Sequence, residues 1–367
     1  MKLRITHLTA RPLRVPLIEP FVIASGTMHE TRAVEITMRV ASDAGDSARG
    51  LGEAATLAPV TAESDQDILD RIDRAASVFA ERPFGGLREA GALLDVASVG
   101  MPVLRAGLEA ALADAIGQLA GVPVASLLDE RASSAGILLH TDITLPITRD
   151  PDHAVRLATE HAARGFDCFK VKVGKDRESD ARALRAVLDA LPSSTLRLDA
   201  NAGYTSADAL ALLDALKSER ARIECFEQPC GKRDLAGMAE VTAHAGIPIV
   251  ADESIANDAD LDAILEARAA SAINLKLVKQ GGLVDAYRIG MRARSEGLQL
   301  MAGAMVETRI GLVAMAHVVW ALGGVDWIDL DTAFLLASDP YAGGWTARGP
   351  NISLMPSPGL GVQRRKD

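Results

Sequence analysis

From about residue 136 the chain keeps a regular beat. Short, almost continuous apolar runs, such as Ile247-Pro248-Ile249-Val250-Ala251, alternate with longer segments whose apolar residues recur at helical spacing. The runs near 137–144, 168–173, 195–200, 222–227, 247–252, 271–277, 298–303 and 325–330 predict strands buried on both faces. Segments near 151–164, 177–190, 206–218, 233–245, 257–269 and 281–296 predict the clearest of the intervening helices. Asp150 before Pro151, then Ser206 and Asn257, supply N-caps. Seven or eight strand–helix units in strict alternation specify an α/β fold of the (β/α)₈ barrel type.

The preceding part has a different rhythm. Residues 3–15 alternate and predict a strand, followed by strands over about 32–41 and 48–54. Glu19 to Gly26 reads as a loop apolar enough to pack on something, and the Gly-spaced Gly50-Leu51-Gly52-Glu53 leads into another. Helices are predicted at about 62–81, opened by Thr61 or Ser64, and at 101–119, stopped by Gly121 before Pro123. Strands followed by helices make residues 1–125 an α+β unit. Residues 332–367, with Pro340, Gly343, Gly344, Gly349, Pro350 and Pro356, read as loop and short strand.

Composition narrows the classes. The 367 residues suffice for about two domains. A net charge of −10 offers no basic footprint for nucleic acid. No apolar run approaches the roughly 20 residues of a membrane span, and no signal peptide is evident at the start. Cys168, Cys225 and Cys230 are an odd number without zinc-type spacing, which suits reduced thiols in a cytoplasmic protein.

Candidate chemistry centres on Cys168-Phe169-Lys170-Val171-Lys172-Val173. Strand alternation sends Lys170 and Lys172 to one face. Surface strands use such pairs to protect an edge, but here the neighbours are apolar. Acids then recur at later strand ends, Asp199, Glu227 and Asp252, followed by Lys276, at intervals of 24–29 residues. That is one strand-plus-helix unit each, so a barrel gathers all five positions at one end. A lone acid after a strand can cap the next helix; three in succession ask for another reason. Carboxylates forced together repel, and a hard divalent cation relieves that while leaving room for substrate oxygens. Oxygen-only ligation favours Mg²⁺ over zinc, with Mn²⁺ an acceptable substitute. Lys172 and Lys276, on strands two and six, then flank the metal from opposite sides and can handle a proton on either face of one carbon.

This series resembles the enolase superfamily, specifically its muconate-lactonizing-enzyme subgroup. Ile273-Asn274-Leu275-Lys276-Leu277-Val278-Lys279-Gln280-Gly281-Gly282 is similar to that subgroup's sixth-strand signature. The resemblance spans nearly the whole chain. It implies a modified TIM barrel, (β/α)₇β, over 126–331, an N-terminal α+β capping domain over 1–125, and a segment 332–367 that returns to the cap. It also implies Mg²⁺ held by Asp199, Glu227 and Asp252. Lys172 and Lys276 become the acid/base pair, and Lys170 helps to bind the substrate carboxylate. Gly303-Ala304-Met305-Val306-Glu307-Thr308 resembles the seventh-strand segment of dipeptide epimerases and puts Glu307 among the substrate-binding residues. Asp329-Leu330-Asp331 is similar to their Asp-x-Asp element, which holds the substrate's free ammonium; helix capping is the bland alternative.

The implied activity is that of an isomerase. It is a Mg²⁺-dependent epimerisation at the α-carbon of a dipeptide's C-terminal residue, by two-base 1,1-proton transfer through an enediolate. A lysine base needs its pKa lowered, and burial, Mg²⁺ and Lys170 all act that way. N-acylamino-acid racemase, o-succinylbenzoate synthase and muconate-type cycloisomerase chemistry share the same core and stay open as alternatives. A non-catalytic binding barrel would have no use for opposed lysines. Specificity in the family comes from cap loops, here about 17–30 and 52–61. Ser25 stands where Ala-Glu epimerases carry an arginine, Arg32 opens the next strand, and Glu19, Glu30 and Glu53 make the vicinity acidic. The expected side chain is therefore apolar or cationic rather than acidic, with cationic slightly ahead. The only partner this reading requires is the small-molecule dipeptide; a homo-oligomer is left open.

Overall fold

The computed structural model describes residues 2–365 apart from Ala24, Ser25, Pro59, Glu81 and Ser133, and apart from the side chain of Ile23. The cap begins with β1 (Leu3–Leu13), β2 (Pro16–Ile23), β3 (Gly26–Glu30), β4 (Ala33–Ser42) and β5 (Ser47–Ala55). Strands β1, β4 and β5 form an antiparallel sheet in that order, and β2 and β3 pair as a separate hairpin. Helices α1 (Asp65–Phe79), α2 (Gly91–Ala97), α3 (Pro102–Ala120) and α4 (Val124–Leu128) follow. Ser64 caps α1 through a reciprocal bond with Asp67. Helix α3 lies directly on β5, and the Gly-spaced motif explains how. A Cβ on Gly50 would come within 1.9 Å of the Ala111 carbonyl oxygen, and one on Gly52 within 2.0 Å of that of Gly107.

The segment read as a loop, Glu19 to Gly26, lies mostly in the β2–β3 hairpin. Its partners are remote, which is why local pattern missed it: Ile18 N–H donates to the Leu335 carbonyl at 2.9 Å, and Ile147 N–H to that of Val22 at 3.1 Å. These bonds lay the hairpin over the mouth of the barrel.

After β6 (Ile137–His140) the barrel strands are β7 (Ile143–Leu145), β8 (Cys168–Lys172), β9 (Thr195–Asp199), β10 (Ile223–Glu227), β11 (Ile249–Ala251), β12 (Ala272–Leu275), β13 (Gln299–Ala302) and β14 (Trp327–Ile328). They form one parallel sheet in chain order, and Thr141 bridges Ile328 so that its two ends meet. The expected strand at 137–144 is thus two: β6 joins a separate sheet, and the chain switches partners where Asp142 N–H donates to Ile328 at 3.2 Å. Between the barrel strands run α5 (Pro151–Ala163), α6 (Arg177–Ala190), α7 (Ser206–Ala215), α8 (Leu235–His244) and α9 (Asp258–Ala267), then α10 (Leu277–Gln280), α11 (Leu283–Ser295) and α12 (Arg309–Ala321). Thr205, rather than Ser206, caps α7. Helix α12 is buried from Ile310 to Ala321. A helix apolar all round has no polar face to mark it in the sequence.

The last stretch ties barrel to cap. Residues Asn351–Leu354 pair with β6, and Leu360 N–H donates to Asp114 of α3 at 2.8 Å. The Tyr341 hydroxyl donates to buried Glu35 of β4 at 2.5 Å, and Arg364 reaches the same carboxylate.

Candidate active site

At the C-terminal ends of the barrel strands lies a narrow cleft. Lys170, Lys172, Lys276, Asp252, Asp329 and Asp331 all line it. Asp199 and Glu227 lie beneath them, fully buried. Parallel register sets this up, with Lys172 opposite Asp199 and Asp199 opposite Glu227 on successive strands. Gly303 makes room for one lysine, since a Cβ there would stand 3.0 Å from Lys276 Cε. Ser25 lies outside the described residues. Glu307 does not line the cleft: its carboxylate turns back to accept the Met305 N–H at 2.9 Å, leaving Met305 and Val306 at the surface of the cleft.

The floor is a lattice of ion pairs. Lys172 Nζ lies 2.5 Å from Asp199, and Lys170 Nζ lies 2.6 Å from Glu227, 2.7 Å from Asp329 and 3.2 Å from Asp199. Lys276 Nζ is 2.7 Å from Asp252, which Lys279 also contacts. Strained turns hold the carboxylates in place. Asn201 (φ 42°) and Gln228 (φ 33°) take left-handed conformations just past β9 and β10. The Gln228 side-chain oxygen accepts the Asp252 N–H at 2.8 Å, and Asn201 N–H donates to Asp199 at 2.9 Å.

Asp142, Arg197 and Asn274 belong to the site although the sequence reading does not single them out. Asp142, Asp329 and Asp331 present oxygens within 4.8 Å of one another. Asp199, Glu227 and Asp252 are not packed that tightly, and lysine ammonium groups lie against each of them. Arg197 lies 2.9 Å from Asp142, and Asn274 donates to Glu227 at 2.8 Å. Asp142, Arg197 and Asn274 are polar side chains inside apolar runs of the sequence, and that interruption is the available signal.

Charge and hydrogen bonding bear on whether a cation belongs here. Seven carboxylates (Asp142, Asp199, Glu227, Asp252, Glu253, Asp329, Asp331) stand against five cations (Lys170, Lys172, Arg197, Lys276, Lys279). The surplus registers as carboxyls held up by burial and by their neighbours: Glu227 and Glu253 to about 7, Asp331 to about 6. Burial alone would lower Lys276, but the Asp252 and Glu227 carboxylates outweigh it and hold the ammonium above its ordinary value. The expected lowering is therefore not produced by the protein groups alone. Buried oxygens of Glu253, Asn201 and Asn274 accept no hydrogen bond, and neither does Glu227 Oε2 despite its ion pair with Lys170. An oxygen-only set with unmet acceptors and two excess negative charges fits a hard divalent cation.

The three cysteines are buried and unpaired in disulfides; burial pushes Cys230 up to about 11 and the other two higher, which removes them from nucleophile chemistry. No described helix is long and apolar enough to cross a membrane.

Residues 5–129 match the family described as mandelate racemase/muconate lactonizing enzyme, N-terminal domain, and residues 153–367 the one described as enolase C-terminal domain-like. An aromatic dipeptide epimerase of Herpetosiphon aurantiacus is 35% identical over 99% of both chains. The substrate-liganded L-Ala-D/L-Glu epimerase of Bacillus subtilis superposes with a TM-score of 0.90 at 30% identity, covering 98% of both chains. A dipeptide epimerase of Enterococcus faecalis, complexed with Mg and L-Leu-L-Tyr, superposes with a TM-score of 0.88 at 30% identity, over 99% of this chain and 100% of that one.

Proposed function

This chain belongs to the enolase superfamily, in its mandelate racemase/muconate lactonizing enzyme branch, and on that footing we propose that it epimerises dipeptides at the α-carbon of the C-terminal residue. The observation that carries this reading is the meeting of Lys172 and Lys276, at the C-terminal ends of strands two and six, in one cleft, with Asp329 and Asp331 beside them. Strands four apart in an eight-stranded ring face each other. One lysine takes the α-proton and the other returns a proton to the opposite face; the roles exchange with the direction of reaction. Asp329 and Asp331 bind the α-ammonium group through charge-assisted hydrogen bonds. Lys170, between Asp329 and Glu227, links that end of the substrate to the carboxylate end. Asp199, Glu227 and Asp252 would hold a divalent cation, with Mg²⁺ matching their donor type. When bound, it would act as a Lewis acid on the negative charge developing at the substrate carboxylate.

Side-chain preference follows from what faces the cleft. Phe21, Leu57, Val60, Met305 and Val306 give it an apolar wall. Glu53 is turned away to Thr308 and Gly311, Glu19 lies 3.6 Å from Arg156, and Glu30 lies 3.6 Å from Arg14. Those contacts take away the reason for ranking a cationic side chain first. We therefore place apolar C-terminal residues ahead of cationic ones, and Ala-Glu last. Incubating a dipeptide library with Mg²⁺ in D₂O and reading it by mass spectrometry tests the whole reading. Deuterium at the C-terminal α-carbon with formation of the epimer is expected; no uptake, or uptake only in N-acylated amino acids, would sink it.

A further inference from the structure

Beside the reaction cleft lies a second cavity of about 160 Å³, the scale of a side chain rather than of a whole ligand, which shares Phe21 and Thr144 with the cleft. The β2 hairpin strand walls it on one side through Ile18, α5 on another through Leu157, and Phe334, three residues beyond Asp331, on a third. The shared wall is the one next to Asp331, because Thr144 N–H donates to that carboxylate at 2.6 Å. Charged residues around the cavity have partners of their own, and Arg164 also lies 3.2 Å from the His161 ring nitrogen. Glu160 lies 2.8 Å from Arg156, which also reaches Glu19, and Arg164 lies over the Phe166 ring at 5.7 Å. The larger part of the lining is apolar, with Glu19, Glu160, His161 and Arg164 as its charged or titratable members.

Granted the dipeptide reading, we propose that this chamber receives the side chain of the substrate's N-terminal residue and selects a large apolar one. The α-ammonium and that side chain branch from the same carbon. An ammonium held at Asp331 puts its side chain beside Thr144, where cleft and chamber meet. The side chain of the epimerised residue branches instead from the carbon between Lys172 and Lys276, on the part of the substrate that Leu57, Val60 and Met305 wall in.

The test compares kcat/KM for Gly-Leu, Ala-Leu, Leu-Leu and Phe-Leu with that for Ala-Ala, Ala-Leu and Ala-Phe. In the natural chain Phe-Leu should exceed Gly-Leu by about tenfold or more, the scale on which apolar pockets discriminate. Ile18 is 63% exposed at the chamber's edge, so Ile18→Trp narrows the chamber without repacking the core. It should cut the Phe-Leu to Gly-Leu ratio by about tenfold. Ile18→Phe, a smaller step, gives the same reading if the tryptophan variant does not fold. A flat N-terminal series with Ala-Leu still epimerised overturns the proposal and leaves the dipeptide reading standing. An equal loss along the C-terminal series assigns the chamber to the other side chain and also overturns it. If no peptide takes up α-deuterium, the dipeptide reading itself fails and this proposal with it.

Discussion

Replacing Asp331 by asparagine isolates the charge from everything else the residue does. Asp331 is 1% exposed and accepts the Thr144 N–H at 2.6 Å. Asparagine has the same size and keeps an oxygen for that bond, so the turn after β14 should survive. What disappears is the third carboxylate of a trio in which Asp142 is matched by Arg197 and Asp329 by Lys170. A hydrogen bond to a charged partner contributes about 1.5–3 kcal/mol. Lost from a substrate ammonium, that corresponds to roughly 10- to 150-fold in kcat/KM. Deuterium exchange into Ala-Leu should fall by this factor, whereas N-acetyl-Ala-Leu, which carries no ammonium, should change little. Acidity offers a second readout. Burial, then Asp329, raises Asp331 to about 6, so it is ionised above that pH and protonated below. The natural chain should lose its preference for the free dipeptide as pH falls through about 6, and Asp331→Asn should lack that limb. Equal losses on free and acetylated substrates, or no loss on either, would refute the ammonium assignment.

Lys276→Ala and Lys172→Ala should each abolish net epimerisation while leaving α-deuterium exchange into one epimer only, a different epimer for each variant. Exchange into both epimers after either change would rule out the two-base arrangement. Exhaustive chelation should stop exchange and Mg²⁺ should restore it. Glu227→Gln should raise the Mg²⁺ requirement by at least the roughly 10–100-fold that loss of a supporting partner costs a metal site; an unchanged requirement removes Glu227 from the ligand set. Glu53→Ala strands the buried Thr308 and Gly311 N–H groups at the start of α12, at about 1–3 kcal/mol for each donor left unpaired. Urea unfolding reads this directly, and an unshifted midpoint would show that the bonds across cap and barrel add nothing net.

The barrel and its reactive rim were legible because their signals are local and repeated. Lys170 and Lys172 announce themselves by period-two spacing, and Asp199, Glu227 and Asp252 by recurring once per strand–helix unit. What could not be read depends on distant partners. Asp142 and Arg197 neutralise each other across 55 residues, and in sequence each looks like a defect in an apolar strand. The β2–β3 hairpin is held by Leu335 and Ile147, which nothing near residue 20 predicts. The resemblance puts Glu307 among the substrate-binding residues, whereas its carboxylate accepts the N–H of Met305 two residues back and does not line the cleft. A carboxylate's direction is settled by short-range geometry that residue type alone does not encode.

The buried carboxylate of Glu35 has a consequence for how the chain is made. Its partner Tyr341 lies 306 residues later, and Arg364 later still. At about 5–20 residues per second of synthesis, the cap waits roughly 15–60 s before the groups that close it exist. During that interval Glu35 has Arg11 of the adjacent β1 at 2.9 Å, but its two later partners are missing and its site stays incompletely closed. The ribosome-bound chain should accordingly be cut by protease within the cap until the tail is released, and become resistant only afterwards. A nascent cap already resistant before Tyr341 emerges would mean that Arg11 alone suffices to hold Glu35 in place.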